Sequence, residues 1–124
     1  MTWIEMEMKN MMYPPGEYVQ IRNLTDSTIS DLLYSYHEYE GLRVRKIRAH
    51  EKENFMIITT NVKQDYDLSF YFENEKSRVF TFPAAVKKMT CDTTWCNLFY
   101  KIVNHNGKIC IEEDEEGEKE YRAE

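Results

Sequence analysis

Three consecutive runs within residues 55–82 place their apolar residues at every second position. These positions are Met56, Ile58 and Val62, then Leu68, Phe70 and Phe72, then Phe80 and Phe82. Successive side chains of a strand point to opposite faces, so each run offers one apolar face. Connecting loops of five and three residues, both odd numbers, keep these faces on one side of a sheet. The pattern predicts an antiparallel β-meander in which Phe72 lies opposite both Ile58 and Phe80.

The alternation extends to other parts of the chain. Residues 2–9 and 17–23 predict two amphipathic strands. The Tyr-Pro-Pro-Gly sequence at 13–16 separates them, because proline cannot donate to a strand ladder. Residues 42–50 predict a further strand with a bulge near Lys46, where the apolar positions change parity.

The last two predicted strands, 95–103 and 108–113, flank Asn106 and Gly107. An Asn-Gly pair between alternating apolar runs favours a two-residue hairpin turn, because both residues tolerate a positive φ. This turn places three pairs of residues opposite each other: Lys101 and Glu112, Ile102 and Ile111, and Val103 and Cys110.

The apolar spacing changes to a helical period between residues 26 and 39. Four apolar positions recur at i, i+3, i+4 and i+7, namely Ile29, Leu32, Leu33 and Tyr36. Thr25 or Asp26 can cap the N-terminus of a helix there, and Gly41 can end it. A helix of about 13 residues is marginal in water, so we expect it to pack on the sheet. A second, short helix is predicted over 83–89, starting at Pro83.

These elements predict an α+β fold. We expect a curved, mostly antiparallel sheet of seven or eight strands, formed by the meander and the C-terminal hairpin, with one main helix packed against it. A chain of 124 residues has the usual length of a single domain.

The net charge of −6 is concentrated at the C-terminus. Residues 112–124 contain eight acidic and two basic side chains and carry −6, which leaves fourteen acidic and fourteen basic residues before them. Blocks of like charge repel themselves and usually stay disordered. We therefore predict a single domain over residues 1–114 and a disordered acidic tail over 115–124.

Several features indicate a cytoplasmic protein without membrane contact. No apolar run approaches the ~20 residues that cross a bilayer, and the N-terminus lacks the apolar core of a signal peptide. The three cysteines, Cys91, Cys96 and Cys110, are an odd number without disulfide-framework spacing, which fits reduced thiols.

The same cysteines and His105 are the nearest approach to a metal site. Three thiolates and one imidazole suit zinc, but the hairpin register separates Cys96 from Cys110 by ~20 Å. The sequence also lacks a nucleophile elbow and a Gly-rich phosphate loop. We therefore predict a protein that is not an enzyme and holds no metal or cofactor.

A basic run offers one alternative function. Four cations lie close together with two tyrosines nearby in the sequence: Arg43, Arg45, Lys46 and Arg48, with Tyr34 and Tyr36. They could hold a small anionic ligand such as a nucleotide, or track a nucleic-acid backbone while the tyrosines stack on bases. The neutral body and acidic C-terminus disfavour a dedicated nucleic-acid binder. A ligand-binding module is thus the first alternative and nucleic-acid binding the second.

The main hypothesis is a small inhibitor or adaptor that binds and blocks another protein. Its predicted contact residues are five consecutive acids, Glu112, Glu113, Asp114, Glu115 and Glu116. Closely spaced carboxylates produce a field like that of phosphates, so the expected partner handles nucleic acid. Small acidic proteins without catalytic motifs act in this way among phage-encoded and immunity-type inhibitors, which is an analogy of class.

Overall fold

A computed structural model describes residues 16–59, 62, 64–84 and 96–123 of the chain. Within these ranges the protein is mostly β, with eight strands and a C-terminal helix. The strands are β1 (Gly16–Asn23), β2 (Leu32–Tyr36), β3 (Tyr39–Arg43), β4 (Lys52–Ile58), β5 (Tyr66–Phe72), β6 (Glu75–Ala84), β7 (Cys96–His105) and β8 (Lys108–Glu113). The helix is α1 (Glu115–Ala123). The predicted strand over 2–9 and the predicted helix beyond Ala84 lie outside the described residues.

The strands form two four-stranded sheets, where the sequence predicted a single sheet. The first sheet has the order β4-β1-β7-β8, with β1 and β7 parallel and the other neighbours antiparallel. The second has the order β3-β2-β5-β6 and is antiparallel throughout. The α+β class and the mainly antiparallel pairing are confirmed. Among the described residues, no helix is long and apolar enough to span a bilayer.

One apolar cluster draws side chains from both sheets. Its centre is Phe70 on β5, which is completely buried. The Phe70 ring lies 6.5 Å from that of Tyr34 and 6.3 Å from that of Phe82, both in the second sheet. It also lies 5.2 Å from the ring of Tyr100, which belongs to the first sheet. Each buried ring removes about 150–250 Å² from water, so this contact between sheets is a main source of stability.

The predicted hairpin of β5 and β6 is present, but its register is shifted by two residues. Phe70 lies opposite Phe80, and Leu68 opposite Phe82. Residues 73–74 form a tighter turn than the predicted three-residue loop, and a pairing irregularity follows it. The shift is an even number, so the apolar faces still coincide.

Strand β4 does not pair with β5, so the first half of the predicted meander is wrong. It pairs with β1 in the other sheet, where Met56 lies opposite Tyr18. Its buried face carries Phe55 and Ile57, whereas Met56 and Ile58 are exposed. Four consecutive apolar residues have no alternation, so the pattern could not indicate which face is buried.

A β-hairpin replaces the helix that the sequence predicted over 26–39. Strands β2 and β3 pair with Tyr36 opposite Tyr39. His37 adopts a φ of 52° in the turn, and Gly41 a φ of 64° near an irregularity in the pairing. Because β2 is buried at most positions, its apolar residues satisfy a helical spacing equally well. Tyrosines favour strands, which explains the outcome.

The predicted strand over 42–50 ends at Arg43, and its remainder is a loop. Val44 and Ile47 anchor this loop in the core. The buried side-chain amide of Asn23 donates hydrogen bonds to the carbonyls of Ile47 and Arg48, at 3.0 and 3.2 Å.

The C-terminal hairpin agrees with its prediction in every pair. Ile102 lies opposite Ile111, Lys101 opposite Glu112, and Val103 opposite Cys110. Asn106 and Gly107 adopt φ values of 55° and 88°, as a type I′ turn requires.

The acidic segment after β8 is also ordered. Residues 115–123 form α1, which contacts β7. The predicted disorder over 115–124 is therefore wrong for these residues, and the contacts that hold the helix explain why.

Candidate functional site

Asp114 fixes the start of α1. Its carboxylate Oδ1 accepts a hydrogen bond from the backbone N–H of Gly117 at 3.0 Å, which is the role of a helix N-cap. Its backbone carbonyl accepts from the N–H of Glu118 at 3.1 Å. Only 1% of Asp114 is exposed. The side chain therefore belongs to the interior, although the sequence predicted it as a partner-binding residue.

Arg22 on β1 holds this buried carboxylate. Its Nε lies 2.5 Å from Oδ2 of Asp114, and its Nη2 lies 2.7 Å from Oδ1. Two parallel charge-assisted hydrogen bonds fix the geometry as well as the charge. The hydrogen bond to Asp114 raises the pKa of Arg22, and the carboxylates of Glu120 and Glu116 raise it further. The ion pair joins residues 92 positions apart and ties α1 to the first sheet.

Gly117 allows this contact to form. A Cβ at this position would lie 2.2 Å from Oδ2 of Asp114 and 3.3 Å from Nε of Arg22. Any larger residue would displace the carboxylate from the guanidinium. The glycine is needed for a close approach, although it lowers the intrinsic helix propensity.

The other four predicted acidic residues remain accessible to different degrees. Glu113, Glu115 and Glu116 are exposed. Glu112 is half-buried, and its Oε2 lies 2.7 Å from Nε2 of His105. The structure thus keeps the predicted acidic surface without Asp114 and places part of it on a helix.

The basic run and its tyrosines do not form a common site. Tyr34 and Tyr36 are core residues, and burial raises the pKa of both hydroxyls. Tyr36 donates a hydrogen bond to the carbonyl of Ile58 at 3.1 Å, and Arg43 forms an ion pair with Glu73. The tyrosines therefore cannot stack on bases as the sequence suggested.

The three remaining cations, Arg45, Lys46 and Arg48, are exposed on the loop that follows β3. This loop presents positive charge to solvent. The aromatic side chains needed for the predicted ligand site are buried elsewhere, so the structure does not bring that site together.

The outer face of the first sheet carries an apolar surface that the sequence did not indicate. We call it the outer patch, formed by Tyr18, Met56, Ile58, Phe99 and Tyr121. Register places Met56 beside Tyr18. The rings of Phe99 and Tyr121 are 5.4 Å apart, so α1 rests on β7 through this pair. Met56, Ile58 and Tyr121 are 42%, 37% and 44% exposed.

A cleft of about 260 Å³ opens within the outer patch. It is lined by Tyr18, Gln20, Lys52, Asn54, Phe99 and Tyr121. Aromatic walls with a few polar groups are typical of surfaces that receive an anchor side chain from a partner. The unbroken apolar run of β4, Phe55 to Ile58, could have indicated this surface, because it leaves apolar residues on both faces of that strand.

The helix α1, which contributes Tyr121 to the outer patch, also carries exposed acidic side chains. Glu115, Glu116 and Glu120 are exposed, and Glu120 lies 3.6 Å from Arg22 at the edge of the face. Glu113, Glu115 and Glu118 line a second cleft, of about 180 Å³, with Phe99 among its walls. Within the described ranges, no group of three or more His, Cys, Asp or Glu side chains could hold a metal ion.

Comparisons with known proteins add a distant structural likeness. No family model matches the chain, and no curated protein matches it. The solved "NMR structure of the protein from Eubacterium rectale" superimposes with a TM-score of 0.49 at 10% sequence identity, covering 80% of this chain and 88% of that one.

Proposed function

We propose that this protein is a small cytoplasmic inhibitor or adaptor, without catalytic activity, that binds another protein through the outer patch and the carboxylates of α1. The observation that carries the proposal is the position of α1. The Arg22–Asp114 ion pair holds the helix so that Tyr121 packs on Phe99 of the outer patch and Glu120 lies beside Arg22 at its edge.

An apolar centre with a charged border is a usual arrangement for a protein interface. Burial of Met56, Ile58 and Tyr121 would supply most of the affinity, because exposed apolar surface gains free energy when it leaves water. The carboxylates would contribute to orientation and to the association rate, since exposed charges act mainly by steering.

The charge also indicates the class of partner. Residues 112–124 carry −6, and α1 holds four of their eight carboxylates, those of Glu115, Glu116, Glu118 and Glu120. A fixed array of carboxylates attracts a basic surface, and the basic surfaces of proteins are commonly those that bind nucleic acid. We propose that the partner handles nucleic acid and is blocked by competition for that surface.

A photo-crosslinking amino acid at Met56 tests the location of the interface. The matched control places the same amino acid at Val79, which is 49% exposed but lies in the second sheet. In lysate of the source cells, we expect a protein that crosslinks to position 56 and not to position 79. Identical products from both positions would contradict the proposal.

The crosslinked partner then allows a test of the acidic border. Replacing Glu115, Glu116, Glu118 and Glu120 by Gln should slow association and flatten its salt dependence, because exposed charges are screened over ~8–10 Å at physiological salt. Duplex nucleic acid should displace the wild-type protein from the partner. A salt-independent interaction that nucleic acid leaves intact would refute the competition with nucleic acid.

A further inference from the structure

Two neighbouring cavities lie at the end of the molecule near the tip of the β7–β8 hairpin, away from the outer patch. The first, of about 600 Å³, is bounded by residues 24–27, Ile29, Val103, Asn104 and Ile109. The second, of about 330 Å³, is lined by Ile29, Asp31, Phe72, Asn74, Glu75, Arg78, Gly107, Lys108 and Ile109. Ile29 and Ile109 line both cavities. We call the two cavities together the mouth cleft.

Part of the lining of the mouth cleft is apolar. Ile29 and Ile109 are partly buried and pack against the core, and Phe72 is only 8% exposed. Leu24 at its border is 40% exposed. A ligand with an apolar body of about one ring system would cover these side chains and gain free energy from their removal from water.

Arg78 provides a charged group in this lining. It is half-buried, and its Nη2 lies 3.1 Å from the Sγ of Cys110. Its guanidinium carbon lies 4.9 Å from the ring centroid of Phe80. These two contacts fix its position, but neither neutralises its charge.

Arg78 differs from the arginines that form ion pairs. Arg22, Arg43 and Arg122 each have a carboxylate within 4.0 Å. In the described part of the chain, no carboxylate lies within that distance of Arg78. A half-buried guanidinium without a carboxylate favours an incoming anion that can form a charge-assisted hydrogen bond.

Other charged residues of the mouth cleft limit the charge of this anion. Lys108 adds a second cation, whereas Asp31 and Glu75 each add a carboxylate. Within the second cavity, which contains Arg78, the two carboxylates balance the two cations, whereas the carboxylate of Asp26 in the first cavity lies 2.8 Å from Nε2 of His50. A ligand with several negative charges would therefore meet repulsion, while a single negative charge can be held by Arg78.

We propose that the mouth cleft binds a small amphipathic monoanion, with its apolar body on Ile29, Phe72 and Ile109 and its acid group on Arg78. The natural ligand class is then an apolar carboxylic acid. This site uses none of the residues of the outer patch, so it is independent of the proposed function.

Two fluorescent probes of similar shape test the proposal. The first is the anionic 8-anilinonaphthalene-1-sulfonate, and the second is the neutral N-phenyl-1-naphthylamine. We expect saturable binding of both to the wild-type protein. Arg78→Met should weaken the anionic probe about tenfold and change the neutral probe less than about twofold, because it removes a charged hydrogen bond and keeps the apolar lining. Arg43→Met, which alters an exposed arginine outside the cleft, is the matched control and should change neither.

A displacement experiment on the wild-type protein does not depend on the folding of any variant. Decanoate should displace the anionic probe at lower concentration than decanol or the dianion of decyl phosphate. Equal weakening of both probes by Arg78→Met, absence of saturable binding, or stronger displacement by decyl phosphate would each overturn the proposal. If Met56→Ser lost binding of the anionic probe while Arg78→Met retained it, the probe would bind at the outer patch. That result would also overturn the proposal.

Discussion

The two faces of the first sheet use the same strands for different purposes. On the inner face Val19, Ile21 and Ile57 are completely buried against the second sheet. On the outer face Met56 and Ile58, neighbours of Ile57 in the chain, remain 42% and 37% exposed. The inner face is determined by packing between two sheets. Among the described residues the outer face is covered in part by α1, which the Arg22–Asp114 ion pair and the Phe99–Tyr121 contact hold in place. Stability thus depends mainly on the inner side chains, and the outer ones are accessible, as the proposed interface requires.

The largest expected effect is in the core. Phe70→Ala should lower the free energy of unfolding by about 3–5 kcal/mol, since it removes a ring that joins both sheets. The register predicted from the sequence placed Phe72 at the centre of the meander, whereas in the structure Phe72 lines the mouth cleft. Urea unfolding should therefore rank Phe70→Ala above Phe72→Ala, and both above Tyr71→Ala, which alters a half-buried side chain. A larger loss for Tyr71→Ala would contradict the assignment of the faces.

The ion pair below α1 should give the next largest effect. Arg22→Met leaves the carboxylate of Asp114 buried without its cation, which costs about 3 kcal/mol in such pairs. The matched control is Arg122→Met, because Arg122 forms an exposed ion pair with Glu118 on the same helix. Exposed pairs contribute roughly 0.3–0.5 kcal/mol. Similar unfolding midpoints for the two variants would show that the buried pair does not hold α1.

Gly117→Ala separates helix propensity from packing. Alanine is favoured over glycine by about 1 kcal/mol in a helix, so propensity alone predicts a more stable protein. The added Cβ would lie 2.2 Å from Oδ2 of Asp114, and overpacking of this kind costs ~1–3 kcal/mol. We expect a net loss in thermal unfolding, with Lys119→Ala on the exposed side of α1 as a neutral control. A stabilised Gly117→Ala protein would contradict the close approach.

The smallest effect on stability is expected on the outer face. Met56→Ser and Ile58→Ser should each change the free energy of unfolding by less than about 0.5 kcal/mol, as exposed substitutions usually do. Ile57→Ser, between them, should cost several times more because Ile57 is completely buried. Both outer variants should nevertheless weaken partner binding. Full binding by the Met56→Ser, Ile58→Ser double variant would exclude the outer patch as the interface.

Local patterns predicted the parts of the fold that local interactions decide. Asn106 and Gly107 determined the C-terminal hairpin, because the turn alone sets its register. The sequence correctly predicted which residues of β5 and β6 share the apolar face, although the register is shifted by two residues. The hairpin of β2 and β3 was not predicted, since buried strand residues at i, i+3 and i+4 resemble a helix. The partner of β4 depends on contacts between sheets, which no local pattern contains.

In the candidate site, too, local features could be predicted and features that depend on distant contacts could not. The acidic residues were visible in the composition, and four of the five remain accessible. The role of Asp114 was not predictable, because its partner Arg22 lies 92 residues earlier in the chain. The local signals of a helix, in a segment whose charge favours disorder, were a possible N-cap at Asp114, an acidic first turn and Arg122 in the last turn.

Amide hydrogen exchange over residues 115–123 tests the central claim most directly, namely that the acidic segment is a helix docked on the first sheet. A free helix of this length would be unstable in water, so protection of its amides would report docking. We expect slowed exchange at residues 118–122 in the wild-type protein, and loss of that protection in Asp114→Asn while the amides of β1 and β7 stay protected. Exchange of residues 118–122 at unfolded-chain rates in the wild-type protein would contradict the claim.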